Sequence, residues 1–200
     1  MEAFVDPVVN YIEDRLEEGG SVLALLLRYK RRVEWFDRAQ LFKAAGKAPA
    51  RAERLLDADL RRFLLDSGVD CPFSRRSDLA VEAASQVTED QPLALETRIF
   101  ARDPQFEVDH IREGFAQALA FAAEHTRPAG YLTVFNLSPE RLVFCTSAAR
   151  DQVPSIRTDG KRVFVVSVQV NPNAALDPET GRAARVEIEE SFLVREPATR

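Results

Sequence analysis

Two hundred residues, 46% of them hydrophobic, are enough for one full core, and a net charge of −5 with a pI near 5.2 excludes a protein coated in basic surface. Nucleic-acid contact would then be local, through clusters such as Arg28–Arg32 or Arg75–Arg76. With two cysteines (Cys71, Cys145) in no Cys-x-x-Cys pair and two histidines (His110, His125), neither a zinc site nor a Ser-His-Asp array is easily assembled.

The start MEAFVDPVV has no basic region ahead of an apolar one, so no secretory signal is expected. Ser21–Leu27 is apolar but too short to cross a bilayer, and the expectation is a cytoplasmic protein without a membrane partner. Residues 7 to 18 read as a short acidic helix ended by Gly19-Gly20. Ser21 is then a candidate N-cap for a helix reaching about Ala45, with Leu23, Leu26, Leu27, Val33 and Phe36 as an uneven apolar stripe. Its basic run Arg28–Arg32, followed by Trp35-Phe36, reads either as a solvated face with packed aromatics or as a stacking surface for nucleic acid. The apolar content of these helices also suits a protein partner.

Gly46-Lys47 lacks the flanking glycine and hydroxyl of a phosphate loop. Leu55, Leu56, Leu60, Phe63 and Leu64 predict a helix over 51–66 that Gly68 stops. Next come two alternating segments, Ser77–Ala83 and Leu93–Ile99, joined by a polar link, which read as a hairpin. Period-two alternation turns Leu79, Val81, Leu93, Leu95 and Ile99 inward, and sets Asp78, Glu82, Glu96 and Arg98 on the opposite face. A loop centred near Val87 puts Asp78 opposite Glu96, with Cβ atoms roughly 4.5–5.5 Å apart. Two bare carboxylates so close would repel, so either a cation joins them or Arg98 offsets them. With no ligand, this would be a solvated face carrying an ordinary ion pair.

Downstream, Ile111, Phe115, Leu119 and Ala122 predict a helix over 108–124, followed by a strand Tyr131–Asn136, a turn, and a returning strand Arg141–Cys145. Val163–Val170 reads as a buried central strand and Ala184–Val194 as one edge strand. The class is α/β (α+β), with a mixed central sheet flanked by helices. The division expected is an N-terminal helical extension (1–46), an α/β domain (47–194) and a tail (195–200).

Read together, Ser-Asp-Leu (77–79), Leu-Glu-Thr-Arg-Ile-Phe (95–100), Gly-Phe-Ala-Gln-Ala-Leu-Ala-Phe (114–121) and Gly-Tyr-Leu-Thr-Val-Phe-Asn (130–136) resemble the PD-(D/E)xK nuclease superfamily over roughly 51–170. The resemblance implies a restriction-endonuclease-like core and a metal-dependent nuclease acting on DNA in restriction or phage defence, with reduced or conditional activity. It assigns Mg²⁺ or Mn²⁺ to Asp78, Glu96 and the Thr97 carbonyl, a set of hard oxygen donors. Gln117 would orient water or substrate, and Asp57 or Asp59 would supply a further carboxylate. The pattern departs in three places: Arg98 stands where the superfamily has lysine, Phe121 where some members have tyrosine, and the helix glutamate has no clear counterpart. Those departures suit the alternative reading, a catalytically degenerate subunit that binds nucleic acid or a protein partner. Arg98 would then clamp a phosphate oxygen or replace the missing cation.

Overall fold

The apolar spacing of the N-terminal segment builds one long helical rod with a fault in its middle. A computed structural model describes residues 19–69, 93–102, 107–147, 153–173 and 184–195. Helix α1 (Gly19–Arg32) runs through a π-helical turn (Val33–Asp37) into α2 (Arg38–Lys47). Gly19 and Gly20 therefore lie in the first described turn of α1 instead of ending a helix, and Ser21 lies inside the helix rather than capping it.

The π turn has a cause in the stripe it serves. Val22, Leu26, Tyr29 and Val33 are buried at helical spacing, and the next buried residues are Leu41 and Ala45. Uninterrupted winding at 3.6 residues per turn would turn 36 or 37, then 40, toward the core. One extra residue in the turn delays the stripe so that Leu41 and Ala45 arrive instead. Phe36 is thereby left out of the core at 77% exposure, beside Trp35 at 75%. The expected place of Phe36 in the stripe is corrected on that ground.

A short 3₁₀ turn, Pro49–Arg51, leads into α3 (Ala52–Asp66), which stops where Gly68 takes φ +84°. Strands β1 (Leu95–Phe100), β2 (Ala129–Asn136), β4 (Ser155–Thr158) and β5 (Lys161–Gln169) form one mixed sheet in the order β1-β2-β5-β4. The first three are parallel, and β4 returns antiparallel to β5 through Asp159-Gly160, both at positive φ as a two-residue hairpin turn requires. The predicted central strand is β5, buried among valines; β4 was not foreseen. Helix α4 (Val108–Glu124) makes the crossover from β1 to β2. It packs close to β2, because a Cβ on Gly130 would lie 3.0 Å from the Ala118 carbonyl oxygen.

Two expectations for the C-terminal half are corrected. Strand β3 (Arg141–Cys145) does not return alongside β2; it pairs in parallel with β6 (Arg185–Glu189) in a separate two-stranded sheet. The reason is the corner after β2. The Asn136 side chain donates to the Glu140 carbonyl and to Gln169, and accepts from the Ser138 amide, turning the chain away from β2. The segment Ala184–Val194 is not one strand, since β6 gives way to a short helix α5 (Glu190–Val194) that buries Leu193.

Three layers result. Helices α1 to α3 bury Leu26, Tyr29, Leu56, Leu60 and Leu64 against Leu95, Ile99, Phe135 and Val168 on one face of the large sheet. On the other face, α4, the small sheet and α5 enclose Phe115, Leu132, Val163, Phe144 and Ile188. Residues 22 to 45 thus share a core with the central strands. None of the described helices is long and apolar enough to cross a membrane.

Candidate functional site

Both faces of β1 are covered, so alternation carries its polar side chains into packed surroundings instead of into solvent. Thr97 faces α3, where its hydroxyl donates to Asp57 Oδ1 at 2.9 Å. Glu96 and Arg98 face α4, and their side chains are only 15% and 4% exposed. The expectation of a solvated ion-paired face is therefore corrected: α4 lies over it.

Arg98 is the centre of what gathers there. Its Nη1 donates to the Glu96 carboxylate and, at 2.6 Å, to the Thr97 carbonyl, while Nη2 donates to Gln117 on α4. Glu53, from the first turn of α3, stands 3.8 Å from the same Nη1. The Arg98 Nε is buried without a partner. The stem crosses Gly114, where an added Cβ would fall 2.5 Å from Cγ and 3.0 Å from Nε. A glycine on α4 is thus what lets the guanidinium enter. Gly114→Ala is expected to cost about 1–3 kcal/mol by forcing that stem aside, measured as a lower urea midpoint at unchanged slope.

Glu53 ties three elements together. Its Oε2 lies 2.6 Å from His110 Nε2 on α4 and accepts, at 3.4 Å, from the Ile99 amide on the side of β1 away from β2. Burial pushes the Glu53 carboxyl up, but the His110 hydrogen bond and the Arg98 charge outweigh it and hold the group below its usual 4.5. Glu96 goes the other way: burial raises it by more than Arg98 lowers it, and Asp57 and Glu53 add to the rise.

The sign of the acid response follows from each direction. Stability tied to Glu53 is complete above the ordinary value of 4.5 and is lost as pH falls through the depressed one; stability tied to Glu96 is complete below 4.5 and is lost as pH rises through the raised one. Glu53→Gln should therefore flatten the acid limb of stability. Urea midpoints between pH about 3 and 6 should fall less steeply toward acid in the variant than in the wild type. An equal or steeper fall would contradict the assignment.

Of the predicted site residues, Glu96, Thr97, Arg98 and Gln117 come together. Asp78 and the hairpin arm Ser77–Ala83, with Glu82, lie outside the described residues, as do Arg75 and Arg76. Asp57 reaches the site edge through Thr97 and pairs with Arg61. Asp59 does not reach it: it accepts from the buried Tyr29 hydroxyl at 2.8 Å, because two residues along α3 turn a side chain well away. Glu53 and His110 were missed. The signal for Glu53 was its spacing of four from Asp57, which puts both on one helix face. Phe121 lies one turn beyond Gln117, its ring centroid 4.3 Å from that of His125.

The donors present test a metal directly. The two oxygen groups that the resemblance gives to Mg²⁺ or Mn²⁺, the Glu96 carboxylate and the Thr97 carbonyl, both accept from one nitrogen of Arg98. Arg98 thus sets a fixed positive charge against one oxygen of Glu96 and against the Thr97 carbonyl, where a divalent ion would have to stand beside it. One other metal-capable group occurs among the described residues, Cys145, Glu187 and Glu189 on the small sheet. Burial and the two glutamates push that thiol up, away from the thiolate a metal takes. No protein-family model, curated protein or solved structure matches this chain.

Proposed function

We propose that this protein is a nuclease-like domain that binds nucleic acid, with DNA as the ligand, and does not cut it. The carrying observation is the Arg98 guanidinium, which sets its own positive charge against Glu96 and the Thr97 carbonyl, where the resemblance puts a metal. Arginine keeps its proton to pH about 12, so it serves as a fixed cation and not as a base toward water. Here its fork is also tied to Gln117, the residue that the resemblance assigns to orienting water. The protein would act in a restriction or phage-defence assembly in the cytoplasm, contributing recognition.

A second reading, a metal-dependent nuclease with conditional activity, is favoured by one observation: Glu53 stands 3.8 Å from the same Arg98 nitrogen that donates to Glu96, so two carboxylates converge there. One experiment separates the two. Plasmid and linear DNA are incubated with the protein and Mg²⁺ or Mn²⁺, with a chelator control, beside a gel-shift assay. Retarded but intact DNA is the expected result. Metal-dependent cutting by the wild type that disappears in Asp78→Ala and Glu96→Ala would replace the first reading with the second. Cutting that appears only in Arg98→Lys would show that this side chain alone holds activity back.

A further inference from the structure

The sheet edge far from Arg98 carries a second feature. Strand β4 covers β5 only as far as Phe164, with the Val165 amide donating to Pro154, so beyond that point β5 has no strand neighbour on that side among the described residues. The helical rod closes the edge with side chains. Lys30 donates to the Ser167 carbonyl, Glu34 accepts from the Gln169 amide at 2.9 Å, and Lys30 and Glu34 pair with each other. Between this anchored turn and β3 lies a cleft of about 600 Å³, with Trp35, Arg38 and Arg141 on its walls and Leu27, Val166 and Phe144 among its apolar lining.

The charge along this rod is one-sided. Gly19–Lys47 holds seven Lys and Arg residues and two acids in a chain of net charge −5. Both acids are engaged, Glu34 by Lys30 and Asp37 by Arg32. Arg28, Arg31, Arg38, Lys43 and Arg141 are exposed and have no partner among the described residues. The π turn that re-registers the apolar stripe is also what holds Trp35 and Phe36 outside, their ring centroids 6.5 Å apart. An exposed indole beside unpaired guanidinium groups is what stacked bases and a phosphate chain require.

We propose that this cleft binds single-stranded nucleic acid, with a base stacked on Trp35 and the adjoining phosphates held by Arg38 and Arg141. A lipid surface is disfavoured because the indole lines the same cleft as Arg38 and Arg141. The inference rests on the nucleic-acid reading above but uses none of the Arg98 site.

Trp35 is the only tryptophan of the chain, so its own fluorescence reports occupancy. Titration with oligo(dT) should quench that emission, and labelled oligo(dT) should gain anisotropy. Trp35→Ala should weaken binding roughly 10- to 100-fold, and Arg38→Gln and Arg141→Gln should each lower the slope of log affinity against log salt by about 0.7. These exposed positions leave the fold intact, which circular dichroism checks. Oligonucleotide or duplex binding that leaves the emission unchanged and survives Trp35→Ala would overturn this inference and spare the broader reading. Absence of any nucleic-acid binding would overturn both. A shifted emission with vesicles of phosphatidylcholine and phosphatidylserine but not with oligo(dT), or a dimer that Trp35→Ala dissociates, would assign the cleft to another occupant.

Discussion

Arg98→Ala is expected to lower the unfolding free energy by about 3–5 kcal/mol, because it leaves the buried Glu96 carboxylate without its cation. Glu96 is 15% exposed, and its neighbours Glu53 and Asp57 add like charge, so little else offsets it. Loss of the guanidinium also frees the Thr97 carbonyl and the Gln117 oxygen. The double variant Glu96→Gln, Arg98→Met should be less destabilised than Arg98→Ala alone, since it removes the charge along with its partner. Urea denaturation of the two variants decides this. Equal losses would mean that Arg98 stabilises by packing across Gly114 and not by charge.

Asn136→Ala should cost about 2–4 kcal/mol, the second largest effect. Asn136 is fully buried where β2 ends, and its amide joins the Glu140 carbonyl, Gln169 and the Ser138 amide. Truncation leaves several of these groups buried and unpaired. Arg102, paired with Glu140 at the same corner, is 73% exposed, and its replacement should matter much less. Thermal and urea unfolding of Asn136→Ala and Arg102→Ala compare the two. A loss for Asn136→Ala no larger than for Arg102→Ala would contradict the account of the corner.

The parts of the fold legible in sequence are those where one local signal sufficed. The stripe Ile111, Phe115, Ala122 marked α4, the valine run marked β5, and Gly68, which takes a left-handed φ, marked the end of α3. Alternation along 95–100 placed Thr97 opposite Glu96 and Arg98, and the faces are as expected. What failed depended on partners distant in sequence. Nothing local in Arg141–Cys145 says that it pairs with 185–189 instead of β2. The π turn is invisible because the stripe before it and the stripe after it each look regular. Alternation gives the face of a strand but not what covers it, so the burial of Arg98 under α4 was not readable. Glu53 was passed over for the same reason: its partners, His110 and the Ile99 amide, belong to two other elements.

The central claim is that the Arg98 guanidinium stands in for a metal beside Glu96 and Thr97. Mn²⁺ titration of the full chain, by calorimetry and by Mn²⁺ relaxation, tests it most directly, with Glu96→Gln in parallel. The account predicts no saturable Mn²⁺ binding tighter than about 1 mM and identical traces for the two proteins. Saturable binding by the wild type that Glu96→Gln abolishes would contradict it.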